Sequence, residues 1–152
     1  MIVTLGVLRH GRATGQAPGA LLTPEGEAYV ARLGRLLASE PWRPVAAFSS
    51  PYVRARDTAR IVLGELASDL APWELPELEP DTPPHRALDA LLASGLPAGP
   101  TLVVAHMPLV ARLAQEIADE VPDFSPGTFA EISFDTRTRR GWLARVIGAD
   151  AF

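Results

Sequence analysis

The chain predicts an α/β protein: a three-layer α/β/α sandwich around a mostly parallel, mixed central sheet. Three observations point there. Short apolar runs alternate with stretches of helical periodicity along most of the sequence, the pattern of strand–helix–strand units. Two alternating strands close the chain, which adds antiparallel members to the sheet. No repeat, linker or change of composition divides the 152 residues, so one domain spanning 1–152 is expected.

The elements follow in order. Residues 2–8 form an apolar run read as a buried strand, followed by a glycine-rich loop over 11–20. Thr23 can cap a helix and Pro24 suits its first position. Tyr29, Leu33, Leu36 and Leu37 give that helix a buried stripe, and it stops near Glu40-Pro41. A short strand over 45–48 leads through Ser49-Ser50-Pro51 into a helix over about 51–66. Ala55, Ala59, Val62 and Leu66 face inward there, with Arg54 and Thr58 one turn apart on a neighbouring stripe. Residues 71–84 are proline-rich and acidic, a loop with room for a short strand at 73–75. A helix over 85–94 follows. Residues 101–105 are the clearest buried strand; His106 ends it and Pro108 opens a helix with the stripe Val110, Leu113, Ala114 and Ile117. Ile132 and Phe134 mark one alternating strand. Trp142, Ala144 and Val146 mark the other, across a connection at 136–141. Trp42, Trp73 and Trp142 read as packing residues.

Composition narrows the function. A net charge of −4 argues against a general nucleic-acid footprint. The absence of cysteine removes disulfides, thiolate metal sites and a cysteine nucleophile. No apolar run approaches the length of a membrane span, and the N-terminus does not read as a signal peptide, so a cytoplasmic protein without membrane contact is expected. With three histidines and no compact histidine–carboxylate cluster, neither a catalytic metal nor any other cofactor is expected.

Chemistry concentrates at three strand ends. Arg9-His10-Gly11 follows the first strand, Arg54 lies in the first turn after the second, and His106 follows the 101–105 strand. In an open α/β sheet these ends share one crevice. Two arginines and two histidines there suit a phosphate: guanidinium forks match its oxygens, and a neutral imidazole can attack phosphorus. Each residue alone has a plainer reading. His106 reads as a hydrogen-bonded strand-end histidine, Arg54 as a helix-surface ion pair, Arg12 as a solvated loop residue or at most a rim contact, Thr58 as a packed threonine or a support for Arg54, and His85 as structural.

Taken jointly, Arg9-His10-Gly11, Ser50-Pro51-x-x-Arg54-Ala55-x-x-Thr58-Ala59 and Ala105-His106 before a helix resemble the histidine phosphatase (phosphoglycerate mutase-like) superfamily, in its order and at about its spacing. The compact length, Leu75-Pro76-Glu77-Leu78-x-Pro80 and His106-Met107-Pro108-Leu109-Val110 resemble its small SixA-type phosphohistidine phosphatases. The resemblance implies a phosphoglycerate mutase-like fold. It implies His10 as nucleophile, with Arg9, Arg54 and a protonated His106 holding the phosphoryl group; the amides opening the following helix can add donors. The expected activity is metal-independent hydrolysis of phosphohistidine through a phosphohistidine intermediate on His10. The partner is then a phosphorylated protein of the histidine phosphotransfer type, or a small phosphorylated substrate. The alternatives are a phosphomonoesterase for sugar phosphates or nucleotides, and a non-catalytic phospho-ligand module. Two departures stand out. The aromatic-Glu-Gly stretch that carries a general acid in many members is missing, which leaves Glu77, Glu79, Asp81 or none in that role. Gly19-Ala20-Leu21 also lacks the basic residue some SixA-like proteins carry there.

Overall fold

The computed structural model describes residues 1–148. Strands β1 (Ile2–Arg9), β2 (Ala46–Ser49), β3 (Trp73–Glu74), β4 (Thr101–Ala105), β5 (Phe129–Asp135) and β6 (Gly141–Ile147) form one sheet in the order β3-β2-β4-β1-β5-β6. The first four in that order run parallel, and β5 and β6 add antiparallel pairings. Helices α1 (Pro24–Ala38) and α2 (Val53–Glu65) cover one face, and α3 (Pro84–Ala93) and α4 (Leu109–Ala118) the other.

Strand alternation builds both interfaces. Val3, Leu5 and Val7 of β1 and Val103 and Ala105 of β4 pack toward α3 and α4. Leu8, Leu102 and Val104 point the opposite way, against Val30, Leu33 and Leu37 of α1 and Ala55, Ala59 and Val62 of α2. A strand buried on both faces reads as a continuous apolar run, which is why β1 and β4 were legible. Truncating a fully buried leucine such as Leu33 to alanine costs about 2–5 kcal/mol.

Thr23 caps α1: its Oγ1 accepts the Gly26 amide at 2.9 Å, and Pro24 takes the first helical position. The buried stripe runs through Gly26, Val30, Leu33, Gly34 and Leu37, whereas Tyr29 and Leu36 are only half-buried. The two glycines explain the shift. α1 approaches α2 so closely that a Cβ on Gly34 would lie 2.7 Å from the Glu65 Cβ. α2 begins later than its Ser-Ser-Pro lead-in suggests. Tyr52 occupies the cap position without a side-chain cap bond, and the Ser50 Oγ accepts the Tyr52 amide at 3.1 Å.

The terminal hairpin differs in its facing. Trp142, Ala144 and Val146 lie on the exposed side of β6, and Leu143, Arg145 and Ile147 turn inward. Arg145 is admitted because Glu40 takes it in two bonds at 2.7 and 2.9 Å and Glu131 in a third at 3.0 Å. The packing role expected of tryptophan holds for Trp42, buried edge-on against Phe129 with centroids 5.2 Å apart. It fails for Trp142 and for Trp73, which is 70% exposed on the edge strand β3. No helix among the described residues is long and apolar enough to cross a membrane.

Candidate active site

The strand order places β2, β4 and β1 side by side, so their carboxyl ends meet. Arg9 pairs with Ala105 and Ser49 with Val104. The ladder continues one step beyond, with the His10 amide on the Ala105 carbonyl at 3.1 Å and the Ser50 amide on the Val104 carbonyl at 3.0 Å. His10 and His106 therefore leave neighbouring strands at the same level, and their ring centroids are 5.1 Å apart.

Arg9, His10, Arg54 and His106, the four residues singled out from the sequence, all line one open cavity of about 780 Å³. Arg54 is held by its own guanidinium: Nε donates to His10 Nε2 at 3.3 Å and one terminal nitrogen donates to the Ala17 carbonyl at 2.9 Å. The Thr58 hydroxyl donates to the Arg54 carbonyl at 2.7 Å and accepts the Gly11 amide at 3.1 Å. Thr58 thus ties the loop after β1 to the first turns of α2. Arg9 donates to the Phe124 carbonyl at 2.8 Å, and its Nε is buried with no partner.

The two bonds on His10 settle its proton. Nδ1 lies 2.7 Å from the Gly11 carbonyl, which can only accept, so Nδ1 carries hydrogen. Nε2 faces a guanidinium N–H, which can only donate, so Nε2 keeps its lone pair. Burial, opposed by the Gly11 bond and reinforced by the Arg54 and Arg9 charges, lowers the His10 pKa to about 4. His106 is lowered to about 3 by burial first, then by His10, Arg54 and Arg9. The ring expected as an imidazolium at His106 is therefore neutral in the ligand-free site at pH 7, chiefly because it is buried, with His10 and the two guanidiniums adding to the effect. Its two ring nitrogens are buried without partners. A phosphoryl dianion brings negative charge beside this ring and favours its protonation. Arg9 and Arg54 are themselves lowered, each mainly by burial.

Tyr52 is an aromatic lining residue that sequence reasoning missed. The Arg54 guanidinium lies 5.1 Å from its ring centroid, and its ring meets that of His106 at 4.9 Å and 67°. The available signal was an aromatic two residues before Arg54, at the start of that segment. Arg12 also lines the cavity. Of the three acid candidates, Asp81 lines the cavity; Glu77 and Glu79 do not. His85 stands exposed in the first turn of α3, outside the lining. Two of the positions that open the helix after β4 offer no free amide. Pro108 has none, and the Val110 amide is taken by the His106 carbonyl at 2.9 Å. Among the described residues no group of three or more histidine or carboxylate side chains is placed to hold a metal ion.

A family model described as histidine phosphatase superfamily, branch 1, matches residues 5–79, the stretch that contains Arg9, His10 and Arg54. No curated protein matches the chain in sequence. Among solved structures, the protein histidine phosphatase SixA complexed with tungstate is similar at 25% identity and a TM-score of 0.86, over 96% of this chain and 97% of that one. The phosphoglycerate mutase of Bacillus anthracis shares the fold at 19% identity and a TM-score of 0.68, over 94% of this chain and 91% of that one. A mycobacterial glucosyl-3-phosphoglycerate phosphatase shares it at 17% identity and a TM-score of 0.71, over 95% and 98%. A family match across β1 to the acidic loop, together with a SixA likeness that runs through β4 and the terminal hairpin, makes this chain a phosphatase similar to those of the histidine phosphatase superfamily.

Proposed function

We propose that the chain hydrolyses phosphohistidine, carried on a protein or peptide, through a covalent intermediate on His10. The observation that carries this reading is the tautomer of His10, with Nδ1–H fixed on the Gly11 carbonyl and the Nε2 lone pair beside Arg54. In the first step Nε2 attacks phosphorus as the bond to the substrate imidazole breaks, and that imidazole leaves with the bonding pair. In the second, water attacks the phosphoryl group on Nε2; inorganic phosphate departs and His10 returns neutral. Arg9, Arg54 and His106 neutralise the charge spread over the equatorial oxygens in both steps. The likeness to SixA supports phosphohistidine as substrate.

One observation favours a second reading. Asp81 on the cavity wall can protonate an alkoxide leaving group, which suits a phosphomonoesterase for small phosphates. A substrate panel separates the two: phosphohistidine protein, phosphohistidine peptide, aryl phosphate, sugar phosphates and nucleotides. Rapid quenching with labelled substrate, followed by acid and alkali treatment, tests the intermediate. An acid-labile, alkali-stable label on the wild-type protein is expected. A chain that binds these ligands and neither acquires label nor releases phosphate is a binding module instead.

A further inference from the structure

We infer that Arg12 reads a second anionic group of the substrate, a carboxylate or a further phosphate next to the phosphoryl group. The inference rests on the reading that the phosphoryl group binds at His10.

Exposure grades the cavity by depth. His106 is 1% exposed, Arg54 5% and His10 8%, while Arg9 is half-buried and Arg12 is exposed. The phosphoryl group belongs with the deep set, so the leaving group extends toward the mouth, where Arg12 stands. The charged side chains of the cavity are Arg9, Arg12, Arg54 and Asp81. Arg9 is engaged by the Phe124 carbonyl, and Arg54 by His10 and the Ala17 carbonyl. Asp81 is not within ion-pair distance of Arg12; among the described residues no carboxylate is. Arg12 is thus a cation of the cavity with its fork uncommitted.

Its backbone is fixed. The Arg12 carbonyl accepts the Thr23 amide at 2.9 Å and the Thr23 hydroxyl at 3.3 Å. Ala13 bridges to Leu22, and the Thr14 amide donates to the Leu21 carbonyl at 2.8 Å. Gly26 in the first turn of α1 presses against the same peptide: a Cβ there would collide with the Arg12 carbonyl oxygen. A free guanidinium on a clamped backbone, at most about 7.6 Å from His10 between Cα atoms, gives a fixed-range contact for an anion. The cavity volume of about 780 Å³ falls in the range of whole-ligand sites, so there is room for a substrate larger than its phosphoryl group.

The test compares selectivity ratios in wild type and Arg12→Gln. One pair of probes is phenyl phosphate and a carboxyphenyl phosphate. The other is a phosphohistidine peptide with glutamates flanking the phosphohistidine and the same peptide with glutamines. Leaving-group differences within a pair cancel when variant is divided by wild type. The acidic member is expected to lose about two- to five-fold of its advantage in kcat/KM on substitution, as suits an exposed ion pair. Raising ionic strength should shrink the wild-type ratio in the same direction, and Arg12→Lys should keep part of it. Loss in the peptide pair assigns the anion to a flanking side chain, and loss in the aryl pair alone assigns it to a small substrate. Ratios untouched by Arg12→Gln in both pairs overturn the inference. A chain that ignores both peptides yet shows the effect with aryl phosphates refutes the phosphohistidine reading and leaves this one standing.

Discussion

Arg54 Nε donates to His10 Nε2 at 3.3 Å, so the nitrogen proposed to attack phosphorus is held by the guanidinium proposed to bind the phosphoryl oxygens. The bond keeps Nε2 unprotonated and sets the fork beside the nitrogen proposed to attack. His10→Ala removes the attacking atom and leaves Arg54 on the Ala17 carbonyl. A loss of activity on the order of 10⁴-fold or more is expected, with no phosphoenzyme label and a cooperative melt retained. Near-parental turnover by the folded variant would end the proposed mechanism.

Arg54→Lys tests the fork rather than the charge. A lysine ammonium is a point donor and cannot reproduce the planar pair of contacts to His10 Nε2 and the Ala17 carbonyl. The expected fall in kcat/KM is on the order of 10²–10³-fold, the scale of losing one aimed donor to a transition-state oxyanion. Steady-state kinetics on an aryl phosphate measures it; full activity would place Arg54 outside the chemistry.

How far the sequence discloses this site depends on the kind of feature. β4 matches its expected span of 101–105, and the α4 stripe of Val110, Leu113, Ala114 and Ile117 is buried as read, because unbroken apolar runs and helical periodicity are local signals. The convergence of Arg9, His10, Arg54 and His106 follows from strand ends sharing an edge. The facing of β6 was not legible. Trp142, Ala144 and Val146 look more apolar than Leu143, Arg145 and Ile147, and the inward turn of Arg145 depends on Glu40, 105 residues away in the chain. Asp81 could not be told from Glu77 and Glu79 either. That choice depends on the 3-10 turn Pro76–Leu78 and on how the loop after it meets the β1–α1 loop.

Acid should weaken both catalysis and fold. With the His10 pKa lowered to about 4, Nε2 is free across neutral pH, and the acid limb of kcat/KM should fall near pH 4 rather than near the ordinary histidine value of 6.5. For stability, the unfolded histidines bind protons below about 6.5, whereas the native His10 and His106 bind them only below about 4 and 3. The unfolded state binds more protons in that window, so stability is full above about pH 6.5 and declines as pH drops through 4 toward about 3. Tungstate, a dianion, should bring a proton onto His106. Calorimetric titration in buffers of different ionisation heat then shows proton uptake near pH 7. Heats independent of buffer would mean that His106 stays neutral in the complex.

Chelators should leave activity unchanged, because Arg9, Arg54 and His106 supply the charge stabilisation proposed for the phosphoryl group. Assay after extensive treatment with a strong chelator checks it. Activity lost to the chelator and restored by a divalent ion would replace this reading with a metal-dependent one.

Leaving-group basicity should order the substrates. An imidazole leaves easily: its conjugate acid has a pKa of about 6.5, and a ring already protonated needs no proton from the enzyme. A phenol, near pKa 10, is intermediate, and a sugar alkoxide is far more basic and requires a placed acid. Asp81, exposed on the cavity wall, is a carboxylate that can act on such a group; it has no counterpart in the lining from Glu77 or Glu79. The order of kcat/KM is therefore expected to be phosphohistidine, then activated aryl phosphate, then alkyl phosphates. Asp81→Asn should hardly alter phosphohistidine turnover and should slow alkyl ester turnover by about 10²-fold or more, the usual worth of general-acid assistance. Glu77→Gln and Glu79→Gln should spare both. A sugar phosphate turned over as fast as phosphohistidine, with that rate lost in Asp81→Asn, would make Asp81 the working acid and the chain a phosphomonoesterase.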